Sequence, residues 1–162
     1  GNERTSIAPT EFDADWRGRR CWGEVHDENA CGLGGVAGHA GLFAAARDVA
    51  ALGAAWLEAD PRLGIAPDLV REATRQHAAS DSVRRGLGWL LKGGDDSSAG
   101  ALFSPASFGH TGFTGTSLWI DPERRLVVAC LTNRVYRGRH FTGILAFRRA
   151  LHDAIAREVD HA

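Results

Sequence analysis

The sequence predicts an α+β fold in which helices pack on an antiparallel sheet. Its 162 residues, 44% of them hydrophobic, are enough for one globular domain with a buried core. Amphipathic helical patterns occur at 47–58 and near the carboxyl end. Two β-rich runs, 114–120 and 126–132, are joined by a short turn with proline at its second position. So short a link predicts an antiparallel hairpin.

The first half of the chain is predicted to hold a loop and then helices. Residues 1–45 show no helical or strand periodicity and become rich in glycine, so we expect a long loop there. Helices are expected within 46–78. In the first of them Val49 and Trp56 share one face, and Pro67 is placed to begin the second.

The second half is predicted to hold the sheet and a final helix. Three antiparallel strands are expected over 86–133, the first of them at 86–91, and they would leave a narrow sheet with open edges. A terminal helix is expected over 141–160, because apolar residues recur there at spacings of three and four. Three arginines of that helix are expected in solvent: Arg148, Arg149 and Arg157.

Composition argues against several classes of function. Lysine and arginine total 19 against 20 acidic residues, so the net charge is −1 and no nucleic-acid partner is expected. No run approaches the roughly 18 apolar residues that a membrane span needs. The three cysteines cannot all pair with one another, so no disulfide framework is expected.

The segment 108–120 is the most informative for function. Its glycines allow a backbone or a ligand to approach closely, and His110 places a titratable ring beside the hydroxyl of Thr111. The alternative interpretation is a glycine-rich loop that enters a strand, with His110 as an ordinary surface residue. Composition alone favours this alternative.

Two stretches resemble serine β-lactamases and penicillin-binding proteins. His110-Thr111-Gly112, followed by the apolar run 126–133, resembles the third conserved box of that family. That box is Lys-Thr-Gly in the best-known members and often His-Thr-Gly in class C-like esterases and D-amino-acid peptidases. The stretch 25–43 resembles a segment that precedes a helix in the same proteins. The resemblance implies a partial β-lactamase/transpeptidase-like fold.

The resemblance also assigns roles to residues of the box. His110 would take the place of the lysine, and Thr111 would offer its hydroxyl to a substrate carboxylate or to the acyl group. Gly112 completes the box, and the backbone N–H of Phe113 would be one donor of the oxyanion hole. Three further residues are expected to contact substrate: Gly38, His39 and Gly115.

The nucleophile expected of this family is missing from the chain. It is the serine of Ser-x-x-Lys, but the residue three before the single lysine, Lys92, is Trp89. The second box needs a tyrosine, and the single tyrosine, Tyr136, begins neither Tyr-x-Asn nor Tyr-x-Ser. We therefore expect residues 1–162 to be the carboxyl-terminal part of a longer hydrolase and to be inactive alone.

Expectations about substrate and location follow from the same resemblance. The parent protein would act on a small-molecule ester, amide or β-lactam, without a cofactor, and a separate amino-terminal half could complement this chain. Because an ordinary histidine has a pKa of about 6.5, His110 need not be charged at neutral pH. This favours an esterase or peptidase over a β-lactamase. The parent is expected in the bacterial cytoplasm or cell envelope, with any signal peptide encoded upstream.

Two other interpretations of the whole chain stay open. One is a noncatalytic ligand-binding or interaction module on the same fold, which would use the glycine-rich groove. The other is a split product whose missing half comes from another chain. A nucleotide-binding loop at 32–41 is disfavoured, because no strand is predicted before it and no Gly-Lys-Ser/Thr ends it.

Three polar clusters are candidate sites. The first cluster consists of His26, Asp27, Glu28 and His39. Their spacing matches no usual zinc site, so no metal is expected there. The second cluster would be a Ser-His-Asp triad of Ser104 or Ser107, His110 and Asp121. The sequence has no Gly-x-Ser-x-Gly elbow, and Asp121 fits better as the first residue of a turn. The third is a basic cluster around Tyr136, for which a solvated loop is favoured over a contact with an anion or a partner: Arg134, Arg137, Arg139 and His140.

Overall fold

An antiparallel sheet of six strands organises the chain. The computed structural model describes residues 3–81 and 83–161, so residues 1, 2, 82 and 162 of the predicted domain lie outside the described residues. The helices are α1 (Glu28–Gly32), α2 (Ala46–Glu58), α3 (Pro67–Ala73) and α4 (Ile144–Asp160). The strands are β1 (Phe12–Asp13), β2 (Arg19–Arg20), β3 (Ala78–Ser80), β4 (Val83–Arg85), β5 (Leu90–Leu91), β6 (Phe108–Thr111), β7 (Ser117–Asp121) and β8 (Leu126–Cys130).

The large sheet is a meander in which each strand pairs with the next one along the chain. Its order is β3-β4-β5-β6-β7-β8, and all neighbours are antiparallel, while β1 and β2 form a separate pair. The predicted hairpin is present as β7 and β8, closed at Asp121 opposite Leu126. The α+β prediction is confirmed.

Helices cover both faces of this sheet. On one face, Phe108, Leu118 and Ile120 pack with apolar residues of α2. On the other, Trp119 and its neighbours pack with residues of α4, among them Ala156. Because alternate strand residues point to opposite faces, this sandwich explains why β8 is apolar without alternation. Within residues 3–81 and 83–161, no helix is both long enough and apolar enough to cross a membrane.

The predicted set of three strands over 86–133 is wrong, because that range contains four. The run 86–91 contributes only β5, since Gly88 turns the chain at a φ of +75°. β6 lies where a glycine-rich loop was expected. A Cβ on Gly109 would lie 2.2 Å from the carbonyl oxygen of Leu118, so this glycine permits close packing inside the sheet.

The predicted loop at 1–45 contains the β1–β2 pair and helix α1. Asp27 caps α1 by accepting a hydrogen bond from the Ala30 N–H at 2.8 Å. Such a short helix gives almost no periodicity, so its capping residue is its only clear sequence signal. The expected helical range 46–78 holds α2 and α3, and its last residue already belongs to β3.

The terminal helix begins at Ile144 rather than 141, after Gly143 at a φ of +91°. The prediction that Arg148 points into solvent is wrong, because only 6% of this residue is exposed. The buried stripe of α4 runs through Arg148, His152 and Ala156, at intervals of four. Phe147, one of the apolar residues that recur at spacings of three and four, is 47% exposed. The contacting face is therefore turned by about one residue from the apolar stripe.

Candidate active site

A tight turn joins β6 to β7 and begins at the last residue of the predicted box, Gly112. Its Gly112 N–H donates to the carbonyl oxygen of Thr116 at 2.8 Å, and its Gly115 N–H donates to the carbonyl oxygen of Gly112 at 3.1 Å. A Cβ on Gly112 would lie 2.2 Å from the hydroxyl oxygen of Thr116, and Gly115 has a φ of +119°. Both positions therefore require glycine. We call residues 112–116 the box turn.

His110 lies at the exposed end of β6, just before the box turn. Its Nδ1 is 3.0 Å from the carbonyl oxygen of Thr111, and its Nε2 is 3.5 Å from Nη1 of Arg85 on β4. This geometry fits the tautomer that donates from Nδ1 and leaves the Nε2 lone pair facing Arg85. The structure thus places a guanidinium beside the first residue of the box.

Phe113 is held on several sides although 53% of it is exposed. Its ring stacks on His26 with centroids 5.8 Å apart, and the guanidinium of Arg134 lies 4.4 Å from its centroid. Arg134 also donates from Nε to the Phe113 carbonyl oxygen at 2.6 Å. The hydrogen bonds within the box turn are donated by the N–H groups of Gly112 and Gly115, so the Phe113 N–H is not spent on closing the turn.

A network of charged side chains ties the amino-terminal segment to this site. Glu11, which is 5% exposed, accepts hydrogen bonds from Nε of Arg139 at 2.7 Å and from Nε2 of His26 at 2.8 Å. Arg139 also pairs with Glu28. Burial alone would raise the pKa of Glu11, but its hydrogen bonds to Arg139 and His26 hold that pKa below the usual value.

The four candidate metal ligands belong to two separate groups of hydrogen-bonded side chains. His26 and Glu28 belong to the network around Arg139, whereas His39 bonds to Asp27 at 2.9 Å between Nε2 and Oδ1. The Ala30 N–H, followed by His39, holds the pKa of Asp27 below its usual value. In the part of the chain that the structure describes, no group of three or more His, Cys, Asp or Glu is arranged to hold a metal.

The three residues predicted to contact substrate are not brought together. Gly115 shapes the box turn, and its carbonyl oxygen accepts from the Thr132 hydroxyl at 2.6 Å. His39 lies beside α1 through its bond to Asp27, and the space around Gly38 is open. The contacts described for Gly38 and His39 do not reach the box turn, so their role stays a prediction.

The Ser-His-Asp triad is contradicted by the contacts of its members. Asp121 is fully buried and accepts from the Ser104 hydroxyl at 2.7 Å and from the Ser104 N–H at 2.8 Å. It also accepts from the N–H of Glu123 at 3.1 Å, as the first residue of the predicted turn. His110 instead bonds to its own strand end and to Arg85. Ser107 is buried as well, 3.4 Å from Ser104 between hydroxyl oxygens.

Sequence reasoning missed the arginines that support the box turn. The basic cluster at 134–140 was interpreted as a solvated loop, but Arg134 and Arg139 both contact the ring of Phe113. Arg148 donates to two carbonyls of the turn, and Arg85 faces His110. None of these residues lies in a recognisable motif. Only the excess of arginine over lysine in the sequence could have drawn attention to them.

A groove of about 640 Å³ lies next to the box turn. It opens between the end of β8 and the start of α4, and its apolar lining includes Phe141, Ile144 and Phe147. Arg134 lines the same groove and reaches the Phe113 carbonyl oxygen. The groove and the box turn therefore share one wall.

A family model and curated relatives match most of this chain. A family model described as Beta-lactamase matches residues 1–152. Two curated relatives, from Salmonella enteritidis PT4 and Escherichia coli O157:H7, carry the provisional name D-alanyl-D-alanine carboxypeptidase. They are 39% and 38% identical over 118 and 120 residues, which is 70% of this chain in each case. The matched part is 27% of the length of either relative, so the chain spans about a quarter of these proteins.

The fold has a counterpart among solved structures. The crystal structure of a beta-lactamase from Mycobacterium bovis superposes with a TM-score of 0.59 at 22% sequence identity. The match covers 74% of this chain and 46% of that protein. At this identity the likeness concerns the fold.

We predict that Asp121→Asn lowers the free energy of unfolding by about 2–3 kcal/mol at pH 7, because a charged acceptor in a buried cluster is lost. Burial alone would raise the pKa of Asp121, but hydrogen bonds from Ser104 and Arg124 hold it below the usual value. The ionised Asp121 carboxylate therefore stabilises the folded state at pH values above its pKa in the unfolded chain, about 3.9. This stabilisation is lost as pH falls through its lower pKa in the folded state.

Urea unfolding of both proteins at pH 7 and at about pH 3 measures this effect, and the difference should shrink at the lower pH. Asp68→Asn is the matched control, since its side chain is 85% exposed on α3. Equal stability of wild type and Asp121→Asn at pH 7 would contradict the assignment.

Proposed function

The chain belongs to the beta-lactamase family, and from that premise we propose that it is the carboxyl-terminal part of an acyl-serine hydrolase. In this proposal a segment outside residues 1–162 supplies the serine and lysine of Ser-x-x-Lys. One observation carries the proposal: the box turn holds the Phe113 N–H in a fixed place without spending it on the turn's own hydrogen bonds. An oxyanion hole needs such a donor.

Acyl transfer assigns a role to each residue of the box. The serine hydroxyl, activated by the lysine, attacks the substrate carbonyl and forms a bond from Oγ to the carbonyl carbon. The carbonyl oxygen gains negative charge and accepts from the Phe113 N–H and from the N–H of the serine itself. The proton taken from the serine passes to the leaving group as the bond between that group and the carbonyl carbon breaks. Water then attacks the same carbon, the bond to Oγ breaks, and a proton from the water returns to the serine. Thr111 and His110 contact the substrate beside this carbonyl.

Arg85 extends this proposal to the class of substrate. Its guanidinium faces Nε2 of His110 at 3.5 Å and is a planar donor of the kind that binds carboxylates. A cation at this point would bind a substrate carboxylate next to the scissile bond. The curated relatives are named for action on D-alanyl-D-alanine, and such a peptide ends in a free carboxylate. We therefore favour a peptidase that acts on peptides with a free carboxyl end.

An acyl-serine probe tests the proposal. A fluorescent phosphonate should leave the isolated 162-residue chain unlabelled and should label one serine of the longer polypeptide, outside residues 1–162. Tryptic mapping identifies the labelled peptide. Labelling of a serine within 1–162, or an unlabelled longer polypeptide that is folded, would contradict the proposal. Adding the missing part as a separate polypeptide distinguishes a split protein, since labelling would then be restored in trans.

Arg85→Ala in the longer polypeptide tests the class of substrate. KM should rise about tenfold or more for a peptide ending in a free carboxylate, because a charge-assisted hydrogen bond is lost. KM for the same peptide with an amidated end should not change. The control is Arg71→Ala, an exposed arginine of α3. Steady-state kinetics from pH 5 to 9 provide the comparison, and equal changes for both peptides would overturn the role given to Arg85.

A further inference from the structure

Arg148 is a buried cation that donates to the back of the box turn. It lies on α4 with 6% of its surface exposed. Its Nη2 is 3.0 Å from the carbonyl oxygen of Gly112 and 2.6 Å from that of Thr116. These are the two carbonyls that also accept the hydrogen bonds closing the turn. One guanidinium therefore joins both ends of the turn to the terminal helix.

Stability alone gives a weak reason for an arginine here. Among the described residues, no carboxylate forms an ion pair with Arg148, and its buried Nε has no hydrogen-bond partner. Burial lowers the pKa of this arginine, which shows the cost of keeping the charge. An apolar side chain of similar length would fill the same space without that cost. What the guanidinium adds is two directed hydrogen bonds.

The covalent structure of the peptide unit shows what those bonds control. The Gly112 carbonyl and the Phe113 N–H belong to one planar peptide group, and this group is trans. In a trans peptide the C=O and the N–H point in opposite directions. Because Arg148 binds the carbonyl from the side of α4, it turns the N–H of Phe113 away from α4. His110 lies on that side of the sheet. Successive strand residues point to opposite faces, and the preceding residue, Gly109, contacts Trp119 on the face that α4 covers.

The charge has a second effect on the same group. A hydrogen bond to a carbonyl oxygen polarises the amide and strengthens its N–H as a donor. The positive charge also lies behind the position where an oxyanion would develop. It is not screened by solvent there, because the guanidinium is buried. Orientation and polarisation therefore act together on the Phe113 N–H.

We propose that Arg148 is the positioning residue of the oxyanion hole. It fixes the plane of the Gly112–Phe113 peptide and strengthens the N–H of Phe113 toward the transition state. The inference rests on the proposed function, because it takes the Phe113 N–H as the donor. It adds a residue that touches neither the substrate nor the reacting atoms.

The first test uses the 162-residue chain and needs no activity. Arg148→Met is compared with wild type and with Arg157→Ala, an exposed arginine of the same helix. In Arg148→Met the amides of Gly112 and Gly115 should exchange with solvent at least tenfold faster relative to core amides of Trp119 and Ile120. The nitrogen chemical shift of Phe113 should move as well, because it senses the hydrogen bond to the carbonyl of its own peptide.

The second test measures catalysis in the longer polypeptide. Arg148→Met should lower kcat by about 10- to 100-fold with little change in KM, because a donor that acts in the transition state is misplaced. Affinity for a boronic acid transition-state analogue should fall in parallel. Arg148→Lys should recover part of the loss, since an ammonium can donate to one of the two carbonyls. If Arg148→Met does not fold, Arg148→Gln gives the same comparison.

The outcomes separate this inference from the proposed function. If the wild-type longer polypeptide is not labelled by an acyl-serine probe, the proposed function fails whatever Arg148 does. If it is labelled and Arg148→Met keeps the wild-type kcat, the inference fails alone. Unchanged exchange at Gly112 and Gly115 together with an unchanged Phe113 shift would also overturn it. A rise in KM without a fall in kcat would assign Arg148 to ground-state binding and would contradict the inference.

Discussion

The closure of the box turn is the constraint on which the candidate site depends. Two backbone hydrogen bonds within residues 112–116 close it, and three side chains from outside donate to its carbonyls: Thr132, Arg134 and Arg148. Donors inside and behind the turn thus bind its carbonyls, and within residues 3–81 and 83–161 the Phe113 N–H has no acceptor. A donor held in place before the substrate arrives avoids the cost of reorganisation during the reaction, which is what makes an oxyanion hole effective.

Arginine, and not lysine, supplies the positive charge around this turn. Arg85 faces His110, while Arg134 and Arg139 flank the ring of Phe113 and Arg148 lies behind it. Among the described residues, Arg139 is the member of this set that pairs with carboxylates. Its partners, Glu11 and Glu28, connect the amino-terminal segment to the site. The Nη2 of Arg148 carries two N–H groups and donates to the carbonyls at both ends of the turn.

The sequence allowed the class of fold, the β7–β8 hairpin and the box to be predicted, because each has a local signal. It did not reveal β6, since the glycines of 108–115 also fit a loop that enters a strand, whereas Gly109 lies inside the sheet and lets Trp119 pack closely. It also placed Arg148 in solvent. Helical periodicity locates an apolar stripe, but the buried stripe of α4 includes a charged residue whose partners, Gly112 and Thr116, lie 36 and 32 positions away. No local pattern carries contacts of that range.

The central claim is that the Phe113 N–H, with its peptide plane held by Arg148, receives the developing oxyanion. A crystal structure of the longer polypeptide with a phosphonate bound to its serine measures this directly. We predict a phosphonyl oxygen at about 2.7–3.1 Å from the Phe113 nitrogen, the distance of an oxyanion-hole donor, with Arg148 still bound to the Gly112 carbonyl. A phosphonyl oxygen that points to other donors and leaves the Phe113 N–H without an acceptor would contradict the account.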